Sequence, residues 1–152
     1  MGTYREHTLD GASAVDLVVA LYDGIIRFLY AASAAVEQED ADGRRVAVKR
    51  ALDIIIHLQA RLRMDVGGRP AQTLSEFYAS IFAQILQASQ SASQAKFEHA
   101  IECVRTVRDA WREVARDPAA AHSSFSMAAM PAKLRVAGDQ ESETRATSSW
   151  TA

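Results

Sequence analysis

The chain has 152 residues, a net charge of −2 and a single cysteine. That length supports one domain with its own core and hardly two. The weak charge provides no strong field for nucleic acid or anionic lipid, so neither is expected as a partner. One thiol excludes an intrachain disulfide framework and a multi-thiolate zinc site. Scarce glycine and proline beside abundant alanine favour an all-helical protein.

The first residues, GTYREHTLDG, are short and polar and do not resemble an apolar signal segment, so a reducing, cytoplasmic setting is expected. Residues 1–13 carry no helical period and are predicted to form a mobile arm. Tyr4 and Leu9 are its sizeable apolar side chains. Ser13 is a candidate N-cap for the first helix, with Asp16 three residues later in a spacing like that of a capping box.

The first predicted helix, 14–38, is apolar over roughly 220° of its circumference, whereas a surface helix needs little more than 100°. Asp23 and Arg27 are four residues apart and are expected to pair. Because charges at a bilayer centre are costly, they also argue against membrane insertion. The first apolar stripe, assigned to the core, is Leu17, Val18, Leu21, Ile25, Phe28, Ala32 and Val36. A second stripe is Val19, Ile26 and Tyr30, with Tyr22 and Leu29 between the two.

Three further helices are predicted at about 43–64, 72–92 and 94–116. A polar run from residue 39, the cluster 66–70 and a Ser-rich turn with Ser93 as N-cap separate them. Their predicted core faces are Val48, Ala51, Ile55, Leu58 and Leu62; Leu74, Phe77, Tyr78, Ile81, Ile85 and Ala88; and Phe97, Ile101, Val104, Val107, Trp111 and Val114. Apolar residues off these faces are Leu52 and Ile56 on the second helix and Phe82 and Leu86 on the third.

Four helices of about 20 residues span roughly 30 Å each. Short connections between them favour an all-α, antiparallel up-down four-helix bundle over residues 14–117. Residues 118–152 are rich in Ala, Ser and Thr without a sustained period. They are predicted to form a flexible, mostly disordered tail.

The sequence lacks the patterns that make helical bundles into enzymes. Di-iron bundles use Glu-x-x-His pairs, and no such pair occurs. His57 invites comparison with a phosphotransfer histidine, but Ala60 and Arg61 occupy the positions of the lysine and glycine that should follow it. We interpret His57 as a half-exposed histidine beside the core and Cys103 as a small core side chain. No catalytic residue, cofactor or metal is therefore expected.

Several segments, in this order and spacing, match one known family. They are Tyr4, Ser13, the run Leu21–Gly24 (LYDG), Ala51–Leu62, Gly67-Gly68, Leu74, Phe77-Tyr78 and Trp111. Together they resemble the flagellar secretion chaperones, FliS, over about residues 4–117. The sequence departs from the family at Ala14, where proline is frequent, and at His57, where an acidic residue is common. The second departure leaves the charge complementarity near the second helix open.

This resemblance implies a non-enzymatic, cytoplasmic four-helix chaperone. Such a protein binds the C-terminal segment of flagellin, prevents its premature polymerisation and delivers it to the flagellar type III export apparatus. It also implies that Tyr4 and Leu9, in the N-terminal arm, cover the empty groove.

Exposed apolar grooves suit an amphipathic helical client, so the surplus residues are the candidates to line them. They are Val19, Tyr22, Ile26, Tyr30, Leu52, Ile56, Tyr78, Phe82 and Leu86. Each of these residues is equally compatible with a core position or a homodimer face. The alternative function is therefore a helical-bundle homodimerisation or signalling adapter that uses the same stripe to bind itself.

Overall fold

A computed structural model describes residues 2–116, with side chains from residue 14 onwards. These residues form four helices, α1 (Gly2–Glu37), α2 (Ala41–Ala60), α3 (Gly68–Gln90) and α4 (Gln94–Arg116), and contain no strand. The predicted all-α four-helix bundle is confirmed. The predicted tail, 118–152, lies outside the described residues.

Two of the three connections contain a local capping contact. Glu39 adopts a positive φ of 56° after α1, and the Asp40 side chain then accepts a 2.9 Å hydrogen bond from the Gly43 backbone N–H. Ser93 caps α4, since its hydroxyl accepts a hydrogen bond from the Lys96 N–H at 3.2 Å. Both satisfy donors that the first turn of a helix leaves free. The predicted Ser93 cap is confirmed.

The helix boundaries differ from the prediction at three points. α1 begins at Gly2, so Ser13 lies inside the helix and is not its N-cap. No proline interrupts residues 2–13, and a single Gly costs a helix only about 1 kcal/mol. α2 ends at Ala60 and α3 begins at Gly68, both several residues earlier than predicted. Pro70 lies in the first turn of α3, where its missing N–H has no helical partner to lose.

The helices pack around a square. α1 lies between α2 and α4, and α3 lies between the same two helices on the opposite side. Contacts between neighbours show that they are antiparallel. Asp23 of α1 pairs with Arg108 of α4, and the Ser33 carbonyl, ten residues later, accepts from Gln94 near the start of α4. Because α1 and α3 each pack between α2 and α4, they face each other across the diagonal of the square.

The core contains apolar side chains from all four helices. Its fully buried larger members are Tyr22, Ile25, Leu29, Ile81, Ile85, Phe97, Ile101 and Val104. The predicted core faces of α2, α3 and α4 are largely confirmed, with Leu62, Leu74, Trp111 and Val114 only partly buried. The prediction for α1 is wrong in its rotation. Leu17, assigned to the core, is 45% exposed, and the buried arc is centred between the two predicted stripes.

Candidate binding surface

Apolar side chains lie along the outside of the α2–α3 junction. The side-chain amide of Gln59 donates a 2.6 Å hydrogen bond to the Ser75 hydroxyl, which marks where the two helices meet. Leu52 lies seven residues before Gln59, and Phe82 lies seven residues after Ser75. Seven residues are close to two helical turns, so in antiparallel helices Leu52 and Phe82 occupy one side at the same level.

Ile56 and Leu86 extend this row along α2 and α3. We call Leu52, Ile56, Phe82 and Leu86 the α2/α3 surface. Ile56 is 54% exposed and Leu86 is 38% exposed, whereas Leu52 and Phe82 are half-buried and pack on the core. The surface is thus an outward continuation of the core, held by the same helices. The sequence analysis predicted all four of these positions to be surplus to the core.

Three other predicted groove residues lie in the core. Tyr22, Ile26 and Tyr78 are 0%, 7% and 4% exposed. Ile26 was predicted to lie in the second stripe and Tyr22 between the two stripes, and both were groove candidates. Both are buried, because α1 is covered by α2 and α4 on its two flanks and the centre of its broad apolar arc faces inward. Tyr78 was assigned both to the core and to the groove, and the structure places it in the core.

The two buried tyrosines join opposite helices through their hydroxyl groups. The Tyr22 and Tyr78 hydroxyl oxygens are 2.7 Å apart, with ring centroids 6.2 Å apart. Burial, together with the Tyr78 hydroxyl, raises the pKa of Tyr22, while a hydrogen bond with the Trp111 side chain opposes the rise. Burial also raises the pKa of Tyr78. This tyrosine network therefore links α1, α3 and α4 and is a structural feature of the core.

The remaining two groove candidates, Val19 and Tyr30, lie on the α1/α4 side. Val19 is half-buried, one turn before Asp23. Tyr30 is 50% exposed, and its hydroxyl accepts a 2.6 Å hydrogen bond from the Arg105 guanidinium. Because α1 and α3 are diagonal, Val19 and Tyr30 do not share a groove with the α2/α3 surface. Tyr4 and Leu9 lie outside the residues whose side chains are described, so their covering role stays a prediction.

Ion pairs link α1 and α4 along the side of the bundle where these two helices meet. One Asp23 carboxylate oxygen is 2.9 Å from Arg108, and the other is 3.6 Å from Arg112. Burial lowers the pKa of the Arg108 guanidinium, but hydrogen bonds to Asp23 and Asp109 outweigh it and the pKa is raised. The expected Asp23–Arg27 pair is therefore wrong. The wide separation of α1 and α4 in the sequence hid these arginines from a local spacing rule.

The sequence analysis also missed exposed apolar residues in the α2–α3 connection. Met64 is 52% exposed and Val66 is 71% exposed. Both belong to a turn between the two helices of the α2/α3 surface, whereas Met64 was predicted to be helical. The signal was available, since Gly67, Gly68 and Pro70 mark the turn and Met and Val are uncommon choices for a solvent-exposed loop.

A metal centre and a membrane-spanning segment are two other kinds of site on which the described residues bear. Within the part of the chain that the structure describes, no group of three His, Cys, Asp or Glu side chains is placed to hold a metal ion. Residues Ala14–Glu37 are long and apolar enough to cross a membrane on length and composition alone. In the bundle, however, Tyr22, Ile25 and Leu29 of this segment pack in the protein core.

The fold and this surface define a class of protein, the helical bundle with an apolar face open between two neighbouring helices. A family model described as "Flagellar protein FliS" matches residues 1–118. The chain is 32% identical to the flagellar secretion chaperone FliS of Vibrio cholerae over 106 residues, 70% of this chain and 78% of that protein. It is 31% identical to the Campylobacter jejuni protein of the same name over 111 residues, 73% of this chain and 87% of that protein. Over 110 residues, 72% of this chain and 81% of its relative, it is 22% identical to the flagellar secretion chaperone FliS of Bacillus subtilis. The chain belongs to the FliS family.

Proposed function

We propose that this protein is a cytoplasmic chaperone that binds the C-terminal segment of flagellin. It keeps that segment from polymerising before export and delivers it to the flagellar type III secretion apparatus. The proposal is supported by membership of a family whose relatives are named flagellar secretion chaperones. The observation that carries it on this chain is the α2/α3 surface, with Ile56 and Leu86 open to solvent.

The chemistry of this surface suits an amphipathic helix. Leu52 and Phe82 are anchored in the core, so they form a preorganised floor, and Ile56 and Leu86 are accessible at its two ends. A client helix that places apolar residues at i, i+3, i+4 and i+7 can bury them here without opening the bundle. A segment that orders on binding loses conformational entropy, so contact with a long surface is expected to compensate for that loss.

The test is calorimetric titration of the full chain with the C-terminal segment of flagellin from the same organism. We expect one-to-one binding with a negative heat-capacity change, the mark of apolar burial. Ile56→Asp and Leu86→Asp are each expected to weaken binding at least tenfold, because a client helix would have to desolvate the new carboxylate. Val46→Asp is the matched control. Val46 is 55% exposed on the same helix as Ile56 but near its opposite end, so its variant is expected to bind as the parent protein does.

Sedimentation of the free protein and of the mixture separates this function from the alternative, a homodimerisation or signalling adapter. A dimer that dissociates when Ile56 is changed to Asp and that persists in the presence of flagellin would favour the adapter. Absence of heat and of any change in mass would refute flagellin binding by this chain. Deletion of residues 1–11 tests the covering role of Tyr4 and Leu9, since it is expected to raise the binding of a hydrophobic dye while the helical content of the bundle is kept.

A further inference from the structure

A second apolar face lies on the other side of α2, where α2 meets α1. The two helices approach closely here, since a Cβ on Gly24 would lie 3.1 Å from the Ile54 side-chain terminus. Leu17 lies two turns before Gly24 on the same side of α1 and is 45% exposed. Leu21, Phe28 and Ile54 are half-buried along this junction. We call Leu17, Leu21, Phe28 and Ile54 the α1/α2 surface.

Three arginines flank this surface. Arg27 of α1 and Arg50 of α2 both lie over the Phe28 ring, with guanidinium carbons 5.3 and 5.8 Å from its centroid. Arg61 directly follows α2, two turns after Ile54, and continues the same side of the helix. All three arginines are exposed, and none makes an ion pair with any of the residues 14–116.

Within the described residues, arginines outnumber carboxylates on this face. Its positions are Leu17, Ala20, Leu21, Gly24, Arg27 and Phe28 on α1, Ala47, Arg50, Ile54 and His57 on α2, and Arg61 directly after α2. Asp16, next to Leu17, is the exposed carboxylate at the edge of this face that makes no ion pair with the described residues, whereas Asp23 pairs with arginines of α4 and Asp53 pairs with Lys49 at 2.9 Å. The three pairing arginines of α4, at positions 105, 108 and 112, contrast with the arginines of this face, because each contacts a carboxylate.

We propose that the α1/α2 surface binds an acidic amphipathic helix of a second partner, distinct from the client on the α2/α3 surface. Stacking on Phe28 restrains Arg27 and Arg50, so they lose less freedom when they pair with a carboxylate. Arg50 and Arg61 are eleven residues apart, about 16 Å along the helix axis. A partner helix with Glu or Asp at a similar separation, flanking an apolar stripe, matches both the charge and the spacing. The other side of α2 remains free for flagellin.

The probe is a fluorescent 18-residue helical peptide with a Leu stripe flanked by Glu, compared with the same peptide flanked by Lys. The fluorescence anisotropy of each peptide is measured as the full chain is added at low salt. The Glu peptide is expected to bind at least tenfold more tightly than the Lys peptide, and added salt is expected to reduce this preference. Arg50→Glu combined with Arg61→Glu is expected to reverse it. Arg45→Glu combined with Lys49→Glu is the matched control, with the same charge change on the α2/α3 side of the same helix, and is expected to keep it.

Four results would overturn the proposal. The Glu and Lys peptides could bind equally, or the control variant could lose the preference as fully as the Arg50/Arg61 variant, which would indicate a net-charge effect. The flagellin segment could displace the Glu peptide, which would assign the α1/α2 surface to the client. Vesicles of phosphatidylserine could bind the protein while the Glu peptide does not, which would indicate a membrane contact. Calorimetry with flagellin is a separate measurement, so failure here leaves the proposed client binding intact.

Discussion

The buried tyrosine pair provides the sharpest test of the core. Tyr22 contacts both the Tyr78 hydroxyl and the Trp111 side chain, whereas the known partner of Tyr78 is Tyr22. Replacing Tyr22 by Phe therefore leaves two polar groups short of a partner, and replacing Tyr78 leaves one. An unsatisfied buried polar group costs about 1–3 kcal/mol. We expect Tyr22→Phe to lower the free energy of unfolding by about 2–3 kcal/mol and Tyr78→Phe by about 1 kcal/mol.

Urea titration followed by circular dichroism measures these differences. For a domain of this size, 1 kcal/mol corresponds to roughly 4 °C in Tm, so the two variants are expected to differ clearly in a thermal scan too. The double variant is expected to cost no more than Tyr22→Phe alone, because the second change removes the hydroxyl that the first had orphaned. A coupling energy of about 1 kcal/mol follows. Additive effects would show that the two hydroxyl groups do not depend on each other. A larger cost for Tyr78→Phe than for Tyr22→Phe would contradict the additional role assigned to Tyr22.

Three further predictions concern the same core. Ile26→Asp is expected to unfold the bundle or to cost at least about 3 kcal/mol, since it buries a carboxylate, whereas Ile56→Asp is expected to stay within about 0.5 kcal/mol; thermal unfolding measures both. Gly24→Val is expected to destabilise the protein by about 1–3 kcal/mol, because the larger side chain crowds α2. Gly24→Ala is expected to stay within about 1 kcal/mol of the parent, because the higher helix propensity of Ala offsets a small clash. Urea midpoints that rank the two variants in the opposite order would refute the close packing at Gly24. Folding raises the pKa of Tyr22 and Tyr78, so their contribution to the free energy of unfolding is present below the ordinary tyrosine pKa near 10 and is lost as the pH rises above it. Between pH 9 and 12, the stability of the double Phe variant is therefore expected to fall less steeply than that of the parent protein. Equal slopes would contradict this.

The sequence predicted the helices well because their apolar residues recur at a spacing of three and four. Each of α2, α3 and α4 buries one narrow face against the core, so the spacing of its apolar residues was enough to locate that face. α1 was harder. Its apolar arc is so broad that the period does not fix which part faces inward, and the prediction placed Leu17 in the core and Ile26 outside it. The packing of α2 and α4 on its flanks decides the rotation, and that information is not local.

The candidate surface was predictable to the same extent. Leu52, Ile56, Phe82 and Leu86 were recognised as surplus to their helices, and the structure brings them together because α2 and α3 are neighbours. The prediction failed where residues on different helices had to be placed relative to one another. Asp23 was paired within its own helix, although Arg108 of α4 lies closer, and Tyr30 was grouped with residues that lie across the bundle.

The faces of this bundle differ in whether their charged and apolar side chains already have partners within the bundle, and that difference predicts where other proteins bind. On the α1/α4 side, carboxylates and arginines neutralise each other, and a partner would have to break those pairs to bind. On either side of α2 the situation differs. The α2/α3 surface exposes apolar side chains, and the α1/α2 surface adds three arginines that make no ion pair with the described residues. The tyrosine network between α1 and α3 ties the core together beneath both surfaces, so binding at either is expected to leave the bundle closed.

Amide hydrogen exchange is then expected to slow on the outer turns of α2 when flagellin binds, while the already protected core turns around Tyr22 and Tyr78 stay unchanged. Faster exchange in those core turns on binding would mean that the client enters the bundle, and the two-sided role of α2 would be wrong.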